Sequence, residues 1–284
     1  MTRILLFNSS VAHGHVGACA QVFPLERLGA DVALVATVRF SNHPGYGSFR
    51  GEISAPAEIT ALTEGMEAIG ALDGLDGVLS GYLGSAETAD AVLAAVLRAR
   101  AQSPGALYAC DPVIGDHGRV YVRPGIAEIL AAKALPMADL VTPNPFELGL
   151  LSGTPIADVA AARKAAMLLA ARLRPGGPRL VLATGLALAE TPAAAIECLL
   201  ADGETCFRVR TPKLPLAASG AGDLAAALFF LEFLRTRNGP AALSAMVARL
   251  FAVLEATGAA RELALVAAQD ALATPRRNFP AEPC

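Results

Sequence analysis

The run Ser219-Gly220-Ala221-Gly222-Asp223 leads straight into Leu224-Ala225-Ala226-Ala227-Leu228-Phe229-Phe230, a helix-forming stretch. Glycines at the mouth of a helix let backbone N–H groups face a ligand, and the positive end of the macrodipole favours an anion there. The G-x-x-x-x-G-K-[ST] spacing of a P-loop is absent. An anion hole beside a carboxylate suits phosphoryl transfer to an alcohol. Asp223 would accept the hydroxyl proton while the N–H groups of Ala221 and Gly222 hold charge spreading over the transferred group. A carboxylate of ordinary pKa, about 3.9, is ionised at neutral pH and needs no special tuning for that role. The plainer alternative is a turn at Gly220 and Gly222, with Asp223 as helix cap.

Two further acidic stretches suit metal-nucleotide binding: Asp111-Pro112-Val113-Ile114-Gly115-Asp116 and Asn144-Pro145-Phe146-Glu147. Mg²⁺ keeps several waters and takes only one or two carboxylates plus phosphates, so a sparse set of oxygens suffices. Asp-Pro and Asn-Pro are also turn formers, which is the competing reading of each stretch. His13-Gly14-His15 with His43 and His117 does not read as a transition-metal site. Histidines two positions apart share a helix face poorly, and no thiolate lies near them in sequence. Tyr46, Tyr82 and Tyr121 fall in predicted loops, either as ordinary packing or as rings that stack on a flat substrate.

These residues need elements to carry them. Short apolar runs alternate with longer Ala-rich segments of helical spacing, the mark of a parallel sheet covered by helices. Strands are predicted over Arg3 to Asn8, Asp31 to Val35, Gly77 to Ser80, Ala106 to Cys110, Asp139 to Val141 and Arg179 to Ala183, each suited to burial on both faces. Helical patterns cover Ala86 to Arg100 and Val159 to Leu173, and Pro24 should kink the first helix. Ala193 to Leu200 and Thr205 to Arg210 read as an antiparallel hairpin around Asp202-Gly203. Helices over Asp223 to Arg237 and Pro240 to Thr257 follow, then a third segment to about Ala273. Ser9, Ser10, Thr37, Phe40 to His43, Gly81-Tyr82, Asp111, Thr142, Asn144 and Thr184-Gly185 all come just after predicted strands. In an open α/β sheet that places them along one ligand-binding edge.

Composition narrows the rest. Lys plus Arg number 23 against 26 Asp plus Glu, a formal charge of −3, which advertises no nucleic-acid partner. More than a third of the 54% hydrophobic fraction is alanine, so the remainder is that of an ordinary soluble enzyme. Leu224 to Leu231 falls far short of the roughly 20 residues that span a bilayer, and no secretory apolar region follows Arg3. A cytoplasmic protein with no membrane partner is expected. The 5 cysteines, without a C-x-x-C pair, read as free thiols. No linker, repeat or low-complexity tract divides residues 1–284, so one domain with a short tail over 275–284 is expected.

One known family shares these residues in order. Ser9, Gly14-His15-Val16-Gly17, Val38-Arg39-Phe40-Ser41-Asn42-His43-Pro44-Gly45-Tyr46-Gly47, Leu79-Ser80-Gly81-Tyr82-Leu83-Gly84-Ser85, Cys110-Asp111-Pro112-Val113, Thr142-Pro143-Asn144-x-x-Glu147 and Gly220-Ala221-Gly222-Asp223 resemble the pyridoxal kinases of the ribokinase-like superfamily. The resemblance reaches Val266-Ala267-Ala268-Gln269-Asp270. It implies a three-layer α/β/α sandwich with a mostly parallel central sheet, a homodimer, and ATP-dependent phosphorylation of the 5′-hydroxyl of pyridoxal, pyridoxine or pyridoxamine. Under it Asp223 matches the catalytic base and Gly220 to Gly222 the anion hole. Ser9, Val16, Phe40, His43, Pro44, Gly45 and Tyr82 match the substrate wall. Asp111, Thr142, Asn144, Glu147 and Thr184 match positions near ATP, Asp116 and Glu147 those that organise Mg²⁺ and its waters, and Asp111 with Thr142 a monovalent-cation site, K⁺ in character. The stretch Asp116 to Tyr121 matches a loop that covers ATP and excludes water.

Three positions depart from the family pattern. Pro44 stands where Thr is common, which removes a hydroxyl and a backbone donor. Ala18 replaces an Asn, and the loop Thr211 to Ala218 carries two prolines and no aromatic. Two other readings stay open at this point: a kinase for a related heterocycle such as hydroxymethylpyrimidine, and a non-catalytic relative that binds pyridoxal phosphate or nucleotide.

Overall fold

A computed structural model describes residues 1–284. Its strands are β1 (Thr2–His13), β2 (Ala30–Asn42), β3 (Gly51–Ile53), β4 (Gly77–Ser80), β5 (Leu107–Cys110), β6 (Gly115–Asp116), β7 (Arg119–Val120), β8 (Leu140–Val141), β9 (Leu180–Leu186), β10 (Ala195–Asp202), β11 (Thr205–Pro212) and β12 (Glu282–Pro283). Ten of them form one sheet in the order β12-β11-β10-β9-β8-β5-β4-β1-β2-β3, and β6 and β7 form a separate ribbon. The six inner strands from β9 to β2 are mutually parallel, and antiparallel strands flank them at both edges. The mostly parallel sheet expected from the alternating pattern is therefore present.

Helices cover both faces. They are α1 (Ala18–Arg27), α2 (Pro56–Ala68), α3 (Ala86–Gln102), the continuous helical run of α4 (Ile126–Ile129), a π-turn (Leu130–Ala134) and α5 (Leu135–Met137), then α6 (Pro145–Ser152), α7 (Val159–Ala170), α8 (Ala221–Thr236), α9 (Gly239–Thr257) and α10 (Gln269–Ala273). The two-residue period of β1 sorts the core. Leu5 and Phe7 join the cluster under α3 and α7, whereas Ile4 and Leu6 join the one under α1, α8 and α9. The result is three layers, as in the ribokinase-like sandwich. In α8 every residue from Leu224 to Leu234 is buried, because the helix lies between the sheet and α9. Its Ala225-Ala226-Ala227 run keeps the side chains there small enough for close approach to the sheet.

Several boundaries differ from the sequence reading. β1 and β2 run to His13 and Asn42, past a register shift at Asn8/Ser9, so Ser9, Ser10, Thr37 and Phe40 to Asn42 lie on strands and not beyond them. Thr184 and Gly185 likewise belong to β9. Pro24 lies inside α1, which spans Ala18–Arg27. The segment after α9 is mostly turns, with only the short α10. Residues 282–283 pair with Phe207 and Arg208, adding β12 to the sheet edge. The cysteines are free thiols, with the Cys206 and Cys284 sulfurs 3.1 Å apart across that pairing. By length and composition α9 could cross a membrane, contrary to expectation, but its Leu243, Met246, Val247 and Val253 are buried in the core under the sheet.

Candidate active site

Asp223 sits in the first turn of α8, which Gly220 opens in the left-handed region at φ 94°. A Cβ on Gly220 would come within 2.1 Å of the His15 carbonyl, so only glycine lets this mouth press against the loop between β1 and α1. That loop holds the carboxylate. The Gly17 N–H donates to Asp223 Oδ2 at 2.9 Å, and Asn8 Nδ2 donates to Oδ1 at 3.1 Å. Burial pushes the Asp223 carboxyl above its ordinary range, while those two donors and the nearby His43 pull it back. The group is thus a stronger base than a free carboxylate and is still fixed in direction.

Asn8 is the hub behind it. Fully buried on β1, it also donates to Gln21 Oε1 at 2.9 Å, and its Oδ1 accepts from the N–H groups of Ser9 and Tyr82 at 2.8 and 3.0 Å. Gln21 Nε2 in turn donates to the Asp223 carbonyl at 2.9 Å. Sequence reasoning passed over both residues. The available signal was an amide inside a buried apolar strand and another inside an apolar helix, since such groups require partners and those partners converge here.

The residues expected on the substrate side come from β1, β2 and β4 and the segments that follow them. Ser9 follows Asn8 on β1, Val16 is buried in the loop before α1, and Phe40 near the end of β2 packs on Phe49 at 4.6 Å between ring centroids. His43 caps a 3-10 turn over Pro44–Tyr46, its Nδ1 accepting from the Gly45 N–H at 3.2 Å. Pro44 takes the first position of that turn, where a missing N–H costs nothing. Tyr82 follows β4, half-buried, and its carbonyl accepts from Thr37 Oγ1 at 2.6 Å.

On the other side of Asp223, Asp111 follows β5 and is buried, accepting from Thr142 Oγ1 at 2.9 Å. Burial, then the charges of Glu147 and Asp223, raise its carboxyl well above the usual range. Glu147 and Asn144 form a capping box at the start of α6. Asn144 Oδ1 accepts from the Glu147 N–H at 3.0 Å, and Glu147 Oε2 accepts from the Asn144 N–H at 2.9 Å. Glu147 Oε1 accepts from Ile114 N–H at 2.8 Å, tying the ribbon to α6. Burial pushes Glu147 up to about 7 against these donors. Thr184 joins β9 to the loop after β8 through its N–H and the Pro143 carbonyl at 3.1 Å.

Asp116 is exposed at the end of β6 and accepts from its neighbour His117 N–H at 2.8 Å. Tyr121, just past β7, is 58% exposed, and the charges of Glu147, Asp111, Asp223 and Asp116 act to push its phenol up. No three His, Cys, Asp or Glu side chains converge into a metal cage. The expected convergence of oxygens from two loops therefore stops at neighbouring carboxylates, with both Glu147 oxygens already engaged by backbone N–H groups. No arginine or lysine pairs with Asp111 or Asp223. Asp139, also fully buried, shows the contrast: it takes Arg100, Arg174 and the Tyr108 N–H.

Comparison with known proteins bears on this arrangement. The sequence model of the family described as Phosphomethylpyrimidine kinase matches residues 55–274. The chain is 49% identical to Pyridoxal kinase PdxY of Deinococcus radiodurans over 99% of this chain and 96% of that protein. Among solved structures it resembles pyridoxal kinase from Leishmania donovani in complex with ADP and pyridoxamine, at a TM-score of 0.91, 29% identity and full coverage of both chains. The same enzyme with ADP and pyridoxine gives a TM-score of 0.90 at 29% identity over 99% of each. Likeness that runs the whole length of the chain, in sequence as in fold, establishes descent: the chain belongs to the pyridoxal kinases of the ribokinase-like superfamily.

Proposed function

We propose that this chain transfers the γ-phosphoryl group of ATP to the 5′-hydroxyl of pyridoxal, with pyridoxine and pyridoxamine as further substrates. The observation that carries the reading is the Asp223 carboxylate, held by Gly17 and Asn8 at the glycine mouth of α8 between the substrate-side residues and the acidic nucleotide side. Asp223 takes the proton of the hydroxyl as it attacks phosphorus. The N–H groups of Ala221 and Gly222, at the positive end of a 16-residue helix, stabilise charge spreading over the transferred group. Proximity and electrostatics then carry the rate, since little covalent work is asked of the protein in such transfers.

Ser9, Val16, Phe40, His43, Pro44, Gly45 and Tyr82 are proposed to line the vitamer, with Phe40 and Tyr82 as its flat walls. The ribbon β6–β7 is proposed to cover ATP, with Asp111, Thr142, Asn144, Glu147 and Thr184 along the nucleotide. Asp116 and Glu147 are proposed to organise a magnesium ion that arrives with the phosphates and keeps waters, engaging it partly through those waters. When bound, that ion neutralises phosphate charge. Asp111 and Thr142 are further proposed to hold a monovalent cation such as K⁺. A homodimer in the cytoplasm completes the reading. Leu34, Phe49 and Leu62, each more than 40% exposed, offer apolar surface for a second copy.

The heterocycle alternative draws on the family model, which begins at residue 55. Phe40 to His43, which with Tyr82 favour a vitamin B6 ring, lie before that point, and Tyr82 lies within the matched region. The test is direct: protein, MgATP and pyridoxal, with phosphorylated product followed over time. Turnover of pyridoxal supports the reading, and its absence alongside turnover of hydroxymethylpyrimidine would overturn it.

A further inference from the structure

Glu262 lies outside every motif described so far, in the irregular segment after α9, yet its carboxylate touches both substrate-side segments. Its Oε2 accepts from the His15 N–H at 2.7 Å, and its Oε1 accepts from the Tyr46 hydroxyl at 2.5 Å, across 247 and 216 residues of sequence. The preceding residue grips the same turn. The Arg261 guanidinium stands 3.5 Å from the centroid of the Tyr46 ring, and its Nη2 donates to the Gly45 carbonyl at 2.9 Å. The edge of the His13 ring meets Tyr46 with centroids 6.0 Å apart. Gly14, at φ +100°, makes room for the contact, because a Cβ there would come within 2.7 Å of Glu262 Oε2.

Followed inward, these contacts reach the reacting groups in one or two steps. The His15 carbonyl abuts Gly220 at the mouth of α8, and two residues after His15 the Gly17 N–H orients Asp223. His15 has no side-chain tie of its own, since its Nδ1 is buried without a hydrogen-bond partner, so the bond from its N–H to Glu262 fixes this point of the loop. Tyr46 closes the turn that His43 opens, and His43 is near enough to Asp223 to favour its ionised form. Partial burial opposes the charge on Glu262, but Tyr46 and the His15 N–H, helped by the His15 and His13 rings, outweigh it and hold the carboxyl below its usual range.

We propose that Glu262 is a positioning residue for the alcohol substrate. It couples the His43–Gly47 turn to the Gly14–Gly17 loop, so that the substrate wall and the backbone donor that aims Asp223 move as one unit. The assignment rests on the B6 kinase reading of the site. A charged acceptor with two donors resists truncation more than a neutral one, which scales to about tenfold or more in the quantity it controls.

The experiment uses the full chain with MgATP and pyridoxal, with KM measured for each substrate in wild type, Glu262→Ala, Glu262→Gln, Tyr46→Phe and the Glu262→Ala/Tyr46→Phe pair. Glu262→Ala is expected to raise KM for pyridoxal about tenfold or more while KM for ATP stays within about twofold. Glu262→Gln keeps an acceptor for His15 and can donate to the Tyr46 oxygen, so it should recover most of the loss. Tyr46→Phe, which removes one hydroxyl and leaves the ring under Arg261, should raise KM for pyridoxal severalfold. It should add nothing on top of Glu262→Ala, because the two act through one contact. If Glu262→Ala does not fold, the Tyr46→Phe comparison alone decides between an altered and an unaltered KM for pyridoxal. Active wild type with unchanged KM for pyridoxal in the variants, equal rises for both substrates, or additive effects would overturn this assignment alone. Wild type inactive on every B6 vitamer would overturn the underlying reading and the assignment with it.

Discussion

Asp223 is asked to be basic and oriented at once, and two opposing effects achieve that. Burial raises its affinity for a proton, and the Gly17 and Asn8 donors oppose that rise and keep it pointed. Asp223→Asn retains the shape but not the base, so we expect kcat to fall by about a hundredfold or more with modest change in KM, measured by steady-state kinetics. Wild-type rates would rule out the proton-acceptor role. Glu147 makes a prediction about stability instead. Its folded value of about 7 exceeds the ordinary value of 4.5, so the folded protein binds more protons between those limits. Its contribution is present in full below about pH 4.5 and is lost as pH rises through 7, roughly 3 kcal/mol in all. Denaturation of the ligand-free protein at stepped pH should show that loss, and Glu147→Gln should flatten it. At this scale the sequence announced Asp223 through its flanking glycines, because a glycine mouth is a local signal. It concealed Asn8, Gln21 and Glu262, whose roles depend on partners brought together only by folding.

Elements were legible where their pattern was local and hidden where tertiary pairing made them. The alternation of apolar runs with Ala-rich helices exposed the parallel sheet, but β3 and β12 are short edge strands defined by their neighbours. α6 was legible in principle. Asn144-Pro145-x-Glu147 is a capping box with proline at the first helical position, and reading it as a turn with a metal ligand obscured the helix. Buried charge also separates scaffold from site at this scale. Asp139 holds β8 to β5 and α3 by accepting from the Tyr108 N–H and pairing with Arg100 and Arg174. Removing it strands two arginines, so Asp139→Ala should cost about 3–5 kcal/mol of unfolding free energy in urea titration. A cost below 1 kcal/mol would show that the pairs merely decorate the sheet. Asp111 has no such partner among the arginines and lysines, and accepts from Thr142 Oγ1 instead.

Over the whole molecule, the proposed site draws together segments that lie far apart in the chain. The first 54 residues lie before the region matched by the family model and hold Ser9, Phe40 and the His43–Tyr46 turn, while Tyr82, Asp111, Glu147 and Asp223 lie within it. The segment after α9 then returns to fasten the first part through Glu262. The measurement that tests this account most directly presents pyridoxal, pyridoxine, pyridoxamine and hydroxymethylpyrimidine separately with MgATP and compares kcat/KM. We predict that pyridoxal is turned over with kcat/KM at least about tenfold above hydroxymethylpyrimidine, a margin worth about 1.4 kcal/mol of transition-state binding. Turnover of hydroxymethylpyrimidine with no turnover of any B6 vitamer would contradict it.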